Sequence, residues 1–533
     1  MIDTAKLKEK ILDLAIRGKL VPQDPSDEPA SVLLEKIRAE KLQMVKDGKL
    51  KQKDIKDDTV IFVGEDNLHY EKFADGSIKC IEDEIPFEIP KSWAWCRLGI
   101  LAQYKKGPFG SSITKSMFVP ESSNTIKVYE QKNAINKNAN LGNYFISNEK
   151  FQELKSFEVF PNDIIVSCAG TIGETFVMPQ NMKKGIINQA LMKITLFDLR
   201  LLDFYLIYFD CKLKQSANEQ GYGVALKNIP PFDILKKYLM PIPPLNEQSK
   251  IINVLNNYAN QLDVVNINRD NLLESINSLK SKILDLAIRG KLVPQDPNDE
   301  PADVLLERIR KEKEELIKQG KIKRDKKDSI IFKGDDNSYY EKMDTKVKLI
   351  DDFEDDLPAQ WNLCRFGSIA NIFTGNSINE EEKASKYTNL KEGFNYIGTK
   401  DIGFNNIINY NNGVKIPFNT DFKIAPTNTP LLCIEGGSAG RKIAITSEDV
   451  CFGNKLCAFQ SLGVLPKYLY YYLQTPQFLQ LFQTNTTGLI GGVSINTIKQ
   501  LYFKAPPIQE QSRIVNAIEK IFININTIEK SLS

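Results

Sequence analysis

The chain has 533 residues, which is too many for one hydrophobic core and leaves room for three or four domains. Its hydrophobic content of 42% and charged content of 26% are ordinary for a globular protein, and no run of eighteen apolar residues predicts a membrane-spanning helix. One histidine, His69, and eight scattered cysteines without a CxxC pair argue against a zinc site, so we predict no metal and reduced thiols in a cytoplasmic protein.

The net charge of +2 hides an alternation of basic and acidic segments. Residues 88–245 hold 19 Lys and Arg against 13 Asp and Glu, and residues 357–507 hold 13 against 9. Residues 1–87 hold 15 against 19, and residues 246–356 hold 20 against 24. An anionic partner is therefore expected on the two basic segments.

The chain also repeats itself. Residues 10–30 and 282–302 differ only at Ser26 and Asn298, and the similarity continues through "VLLEKIRAEK" and "VLLERIRKEK". "PPLNEQ" and "PPIQEQ" recur after the basic segments, which themselves have diverged. A period of about 270 residues indicates a duplicated pair of domains rather than a solenoid.

These offsets predict five segments, at 1–85, 86–243, 244–356, 357–506 and 507–533. Segment 244–356 is a complete connector, and segments 507–533 and 1–85 together match it. We therefore expect the two end segments to form a second connector, with variable domains at 86–243 and 357–506 and with the chain termini close in space.

The first connector part begins with Leu7, Ile11 and Leu14 at helical spacing, and Gly18 is a natural helix cap. A second, mostly charged helix is predicted from Pro29 to Asp47, and again from Pro301 to Gln319. Because both copies have stayed nearly identical, a docking surface for another protein is one interpretation of this helix. A solvated helix after a recent duplication is the other.

The two variable domains combine strand-like runs, such as "DIIVSCA" and "PLLCIEG", with short helical pieces, and each opens with Trp, Arg and Gly. This pattern predicts an α+β fold for both domains. Their loops are rich in Lys, Asn, Ser, Thr and Gly, whose side chains and close backbone suit contacts with phosphates and base edges.

From residue 246 onward, apolar residues alternate in steps of four and three over five heptads, with Arg269 as the single interruption. This spacing predicts a long coiled-coil helix, and packing into a globular core is the alternative. The predicted seam consists of Ile251, Leu255, Tyr258, Leu262, Val265, Leu272, Ile276, Leu279, Ile283 and Leu286. A matching seam closes the chain at Ile514, Ile518, Ile521, Ile525 and Ile528. We expect the two helices to pack on each other in antiparallel fashion.

Catalytic motifs are incomplete. "NIPPF" at Asn228 resembles the NPPF/Y motif of amino-methyltransferases, but Ile229 stands where that motif needs Asn or Asp. "GGSAGRK" at Gly436 lacks the P-loop spacing, no dinucleotide-binding glycine motif opens a helix, and no Ser or Cys triad is visible. The sequence predicts a non-catalytic chain.

The motif "AIRGKLVPQDP-x-DEPA-x-VLLE", present twice, with "PPLNEQ" before a heptad helix and two diverged domains between, resembles the specificity (S) subunit of a Type I restriction–modification enzyme. The resemblance covers the whole chain. It implies that each variable domain binds one half of an interrupted double-stranded DNA site, while the connectors form an antiparallel coiled coil that sets the spacing in a pseudo-two-fold cyclic arrangement.

The resemblance also implies partners. Two methyltransferase subunits, with S-adenosylmethionine as their cofactor, would dock on the chain and methylate adenine, and restriction/translocation subunits would join the complex. No cofactor is expected in this chain.

Resemblance and loop chemistry together suggest candidate DNA-binding residues. In the first domain they are Lys105, Lys106, Ser111, Ser112, Lys115, Tyr129, Gln131, Lys132 and Asn133. In the second domain they are Thr374, Asn376, Ser377, Thr399, Lys400, Arg441 and Lys442. Lysines would bind phosphate, and Gln and Asn could read adenine edges.

Three alternatives remain at this point. A specificity subunit of a Type IIB-like system would have the same sequence features, and the partner's sequence would separate the two. A coiled-coil scaffold without a DNA role explains neither the basic domains nor their divergence. A self-contained methyltransferase lacks its motifs here.

Overall fold

The computed structural model describes residues 3–168, 171–219, 230–325, 327–353, 355–388, 390–487 and 491–532. Contacts within the chain divide it into two units, an N-terminal unit of residues 2–267 and a C-terminal unit of residues 268–533. Met1, Ile2 and Ser533 lie outside the described residues, so the expected proximity of the termini stays a prediction. Within the described ranges, no helix is long and apolar enough to cross a membrane.

The N-terminal unit begins with connector elements. They are α1 (Thr4–Ile16), α2 (Ala30–Lys46) and an antiparallel sheet of β1 (Val60–Val63), β2 (His69–Lys72) and β3 (Ile78–Cys80). Asp3 caps α1 by accepting a hydrogen bond from the Lys6 backbone N–H. The predicted second helix is confirmed, since α2 starts directly after Pro29.

The first variable domain follows in this unit. Its elements are β4 (Ala94–Arg97), α3 (Leu98–Leu101), β5 (Ala102–Lys106), β6 (Thr125–Tyr129), α4 (Gln131–Ile135), β7 (Phe145–Ser147), α5 (Asn148–Glu153), β8 (Glu158–Val159), β9 (Ile164–Ser167), β10 (Thr175–Val177), β11 (Gly185–Ile187), β12 (Leu191–Leu196), α6 (Leu202–Glu219), α7 (Phe232–Leu235) and β13 (Leu239–Ile242). Two four-stranded sheets form, in the orders β10-β9-β12-β5 and β7-β6-β11-β8, and β4 pairs with β13.

The long helix α8 (Leu245–Ile288) contributes residues to both units. The C-terminal unit then repeats the connector elements with α9 (Ala302–Lys318) and a sheet of β14 (Ile330–Lys333), β15 (Tyr339–Met343) and β16 (Lys346–Ile350). Gly290, with φ of +65°, ends α8 as Gly18, with φ of +67°, ends α1, in the left-handed conformation that favours glycine.

The second variable domain has the topology of the first. Its elements are β17 (Asn362–Arg365), α10 (Phe366–Ile369), β18 (Ala370–Thr374), α11 (Glu380–Glu382), β19 (Phe394–Ile397), β20 (Lys415–Ile416), β21 (Ile424–Ala425), β22 (Pro430–Cys433), β23 (Ile443–Ile445), β24 (Val450–Phe452), β25 (Leu456–Ser461), α12 (Pro466–Tyr472), α13 (Pro476–Thr484), α14 (Ile495–Lys499) and β26 (Tyr502–Ala505), followed by α15 (Ile508–Leu532). The sheet orders β18-β25-β22-β23 and β20-β19-β24-β21 match those above, and β17 pairs with β26. The predicted α+β class is confirmed for both domains.

The repeated motif forms a junction inside each unit. In the N-terminal unit, the Trp93 indole N–H donates to Glu247 over 2.9 Å, and the Gln23 amide donates to the same carboxylate over 2.6 Å. A Cβ on Gly18 would lie 2.4 Å from the Pro90 ring, so only glycine fits beside it. The junction therefore joins the loop after α1, the start of the first variable domain and the start of α8.

The C-terminal unit contains the same junction. Trp361 donates to Glu510 over 2.8 Å, and Gln295 donates to Glu510 over 2.6 Å. Both carboxyl groups are buried, and this burial raises the pKa of Glu247 and of Glu510 despite the hydrogen bonds that they accept. Internal packing thus explains much of the near identity of the two motif copies.

The second helices also pack inside their units. Leu33 and Ile37 of α2 are buried in the core of the N-terminal unit, and Lys41 is buried with its ammonium 2.6 Å from Asp58. In α9, Leu305, Ile309 and Lys313 repeat this burial. The apolar stripe of each helix is therefore occupied, and docking of another protein on the charged outer face stays a prediction.

Each end of α8 has an antiparallel helical neighbour within its own unit. In the N-terminal unit, Thr4 bonds to Asn266 and Asp27 bonds to Asn246, so the two segments run in opposite directions. In the C-terminal unit, the Lys280 ammonium lies 2.7 Å from Glu529, and Arg513 pairs with Asp299. The helix is longer than the predicted seam, and its neighbours cover its two ends.

The heptads predict a continuous buried seam, and this prediction is wrong in the middle of α8. Ile251, Leu255, Ile276, Ile283, Ile514, Ile518 and Ile525 are buried, and Leu262, Leu286 and Ile521 are half-buried. Tyr258, Val265, Leu272, Leu279 and Ile528 are exposed. The buried positions of α8 are those that join the hydrophobic core of a unit, Ile251 and Leu255 in the N-terminal unit and Ile276 and Ile283 in the C-terminal unit.

Candidate DNA interface

In the described part of each variable domain, one pair of strands runs parallel, and the carboxyl ends of the pair meet at the same edge of the sheet. In the N-terminal unit, β6 and β11 run parallel, with Tyr129 opposite Ile187. Gln131 and Lys132 follow β6, and Asn188 and Gln189 follow β11. Polar side chains from two separate stretches of sequence are thereby placed next to one another.

The loop after β5 reaches the same edge. The Gly107 N–H donates to the Leu191 carbonyl over 2.9 Å, and a Cβ on Gly107 would lie only 1.8 Å from the Asn188 carbonyl oxygen. Glycine is therefore required where the loop crosses the end of β11. This contact brings the start of the "GPFGSS" loop beside Asn188, whose N–H donates to the Tyr129 carbonyl at the end of β6 over 3.0 Å.

The predicted lysines of this loop are accessible. Lys105, Lys106 and Lys115 are exposed, Ser111 is exposed and Ser112 is half-buried. The Lys105 ammonium lies 4.8 Å from the centre of the Phe157 ring, a contact that leaves its charge available to a phosphate. Consecutive strand residues point to opposite faces, so Lys105 and Lys106 would reach different phosphates.

Two predicted contacts in this domain are wrong. Tyr129 is fully buried, and its hydroxyl donates to the Lys183 carbonyl over 2.6 Å. Asn133 is fully buried as well: its oxygen accepts from the Glu130 N–H, and its amide donates to the Asn138 and Leu141 carbonyls. Tyr129 thus joins β6 to the turn before β11, and Asn133 shapes the loop after β6, so neither side chain faces a ligand.

Lys132 remains a candidate after this correction. Its exposed ammonium lies 2.9 Å from Glu130, a surface pair that a phosphate could replace. Gln131 is half-buried beside it.

The C-terminal unit has the same edge, formed by the parallel strands β19 and β24. Here Gly375 occupies the place of Gly107, because its Cβ would lie 1.8 Å from the Phe452 carbonyl oxygen. The predicted residue Asn376 is held there: its side-chain oxygen accepts from the Lys423 N–H over 2.8 Å, and its carbonyl accepts from the Tyr396 hydroxyl over 2.7 Å. Nearby, the Thr374 carbonyl accepts from the Lys423 ammonium, and Ser377 is exposed.

The remaining predicted residues of this unit gather around one aromatic ring. The Arg441 guanidinium and the Lys442 ammonium lie 5.6 Å and 5.1 Å from the centre of the exposed Phe404 ring. Lys442 also donates to the Thr399 carbonyl over 3.1 Å, and Lys400 is exposed. Residues about 40 positions apart thus form one basic surface at the end of β19.

Several residues at these edges were not predicted. They are Phe109, Gln189, Phe404, Asn454 and Lys455, all of them exposed. For Gln189, Asn454 and Lys455, the signal in the sequence is the change from an apolar run to polar residues, in "GIINQ" and "VCFGNK". It becomes informative only once β11 and β24 are known to be the parallel partners of β6 and β19.

The described residues show no group of three or more His, Cys, Asp or Glu side chains that could hold a metal ion. Asn228 and Ile229 of the "NIPPF" motif lie outside the described residues, and Pro231 precedes α7 as its cap.

Comparisons with known proteins agree on one family. Residues 90–275 and 358–533 match the family model described as Type I restriction modification DNA specificity domain. Over 98% of this chain and 90% of the relative, the sequence is 28% identical to the Type I restriction enzyme EcoAI specificity subunit of Escherichia coli. Over 69% of this chain and 62% of the relative, it is 30% identical to the EcoEI specificity subunit of the same species.

One solved structure is similar to this chain at a low level. The crystal structure of the HsdS subunit from Thermoanaerobacter tengcongensis matches 84% of this chain and 93% of its own, with 15% identity and a TM-score of 0.44. The family model, which matches well over half of the chain, carries the assignment instead. The chain belongs to the family of type I restriction–modification DNA specificity subunits, and it is a DNA-recognition subunit without a catalytic role of its own.

Proposed function

We propose that each recognition domain binds one half of an interrupted, double-stranded DNA site through the sheet edge described above. The observation that carries this proposal is the shared topology of the two domains, combined with different side chains at the same edge. Loops that differ on a common frame allow the two half-sites to differ in sequence. The excess of Lys and Arg over Asp and Glu in both domains favours a polyanion at these edges.

To recognise a DNA sequence, each sheet edge must carry groups that can reach the edges of the bases. Gln131 and Gln189 in one domain, and Asn454 in the other, carry amides that can pair with adenine. The exposed lysines and Arg441 supply phosphate contacts. The helical connectors would set the distance between the half-sites, as dimer geometry does for other DNA readers.

We further propose that two methyltransferase subunits dock on the chain and methylate adenine within the recognised site, with S-adenosylmethionine bound by those subunits. Restriction/translocation subunits would join the same complex. Two similar units suit two copies of one partner, each of which would act on one DNA strand.

A methylome tests the proposal. The chain is co-expressed with its candidate methyltransferase subunit in a host that lacks the modification, and modified adenines are mapped across the genome. One interrupted motif that disappears without this chain is the expected result. An assembled pair that binds DNA but leaves every adenine unmodified contradicts the methylation step. Failure of the two proteins to assemble contradicts docking.

A further inference from the structure

Phe109 stands out among the apolar residues of the described chain, since 87% of its surface is exposed. It lies at the tip of the "GPFGSS" loop, at the sheet edge proposed to face DNA. A large aromatic side chain is favoured at a protein surface when it will be covered by a partner.

The loop holds Phe109 away from the body of the domain. Gly107 is locked against the end of β11, and Pro108 is buried, so both residues that lead to the tip are fixed. The Ser112 N–H donates to the Phe109 carbonyl over 2.8 Å and closes the tip as a turn. The ring is therefore presented on a preorganised loop, which lowers the entropy lost when a partner covers it.

The charge around this loop identifies the partner. Residues 89–120 contain five Lys and Arg and no Asp or Glu. Among them, Lys105, Lys106 and Lys115 are exposed on both sides of the ring in sequence. Such a setting attracts the phosphates of a duplex and delivers an uncharged ring to its bases.

We propose that Phe109 inserts into the DNA half-site bound by the N-terminal unit and contacts the bases there, so that it determines sequence preference at that point. This inference rests on the proposed function. In the C-terminal unit, the second residue after the equivalent glycine, Gly375, is Ser377, which is exposed and carries no ring. The contact made by this loop is therefore expected only in the half-site of the N-terminal unit.

The test is the methylome of the complex with Phe109→Ala. We expect the motif to lose its preference at one or two adjacent base pairs of one half-site, while the other half-site stays unchanged. Affinity for a duplex carrying the motif should fall about tenfold, as for the loss of one specific base contact. The salt dependence of binding should not change, because the ring carries no charge.

Phe160→Ala is the matched control. Phe160 is 53% exposed and directly follows β8. Because the end of β8 lies opposite Gly185, at the start of β11, Phe160 occupies the other edge of the same sheet. We expect the motif and the affinity to stay as in the unaltered chain. An unaltered chain that yields no motif contradicts the proposed function itself, whereas a motif that is identical with and without Phe109 overturns only this inference.

Phe109→Trp gives a second measurement that does not depend on the alanine variant folding. The three native tryptophans, Trp93, Trp95 and Trp361, are buried, so the new indole supplies the emission of an exposed residue. Adding a duplex with the motif should quench or blue-shift that emission. Unchanged emission on a duplex whose binding is verified by anisotropy would overturn the contact.

Discussion

Replacing Glu247 by alanine tests whether the repeated motif serves as the junction between connector and recognition domain. Its carboxylate is buried and accepts hydrogen bonds from Trp93 and Gln23, over 2.9 and 2.6 Å. Removing it leaves the buried Trp93 indole N–H without its acceptor, whereas the exposed Gln23 amide still donates to the Gly18 carbonyl over 3.2 Å. It also removes a carboxyl group whose burial is unfavourable, as the raised pKa of Glu247 indicates.

The magnitude follows from these two opposing effects. One stranded buried donor costs about 1–3 kcal/mol, and relief of the buried carboxyl offsets part of that cost, so we expect a loss of about 2 kcal/mol. For a unit of this size, about 2 kcal/mol lowers Tm by roughly 4–8 °C. Recognition by the N-terminal domain should weaken as well, because the junction orients it on α8.

The assay is differential scanning calorimetry of the full chain, with two matched variants. Glu510→Ala removes the equivalent carboxylate from Trp361 and Gln295, and should cost a similar amount in the C-terminal unit. Glu28→Ala removes an exposed carboxylate that pairs with Lys36 at the surface, and should cost less than about 1 kcal/mol. A Glu247→Ala variant that melts like Glu28→Ala would refute the role of the junction.

Three further predictions follow from the same contacts. Lys105→Ala combined with Lys106→Ala should reduce the slope of log affinity against log salt by about 1.8, because each lysine would contact one phosphate. An unchanged slope in a salt titration would exclude both lysines as phosphate ligands. Gly107→Ala should displace its loop, because the new Cβ would lie 1.8 Å from a carbonyl oxygen. Specific DNA binding should weaken at least about tenfold in an anisotropy assay, and full affinity would show that the position of the loop is unimportant. The pKa of Glu247 is raised above its ordinary value of 4.5, so its contribution to stability is present below pH 4.5 and is lost as pH rises through the raised value. Glu247→Gln should flatten this part of a curve of unfolding free energy against pH. A curve that the substitution leaves unaltered would contradict the assignment.

Local features of the molecule could be predicted from the sequence alone. The helices α2 and α9, and the caps at Gly18 and Gly290, depend on residues within a few positions of one another. The duplication and the family resemblance are also properties of the sequence itself. They predicted two α+β recognition domains with helical connectors, and the structure and the family model confirm both.

Which residues lie at the candidate DNA interface depends on the tertiary structure. Tyr129 and Asn133 have the chemistry of base-reading residues, yet the fold uses them as a buried core residue and a loop brace. From the sequence alone, Phe109 would be expected in a hydrophobic core, yet the fixed conformation of its loop exposes it. The same side chain can serve a core or a ligand, and local sequence does not distinguish these uses.

The position of the candidate site depends on the pairing of β6 with β11 and of β19 with β24, which join stretches about 60 residues apart in the chain. The length of the buried seam of α8 likewise depends on where its neighbours end. Helix periodicity and caps act over a single turn and are visible in the sequence. Strand pairing and burial are settled by contacts between distant segments, because only the folded chain brings those segments together.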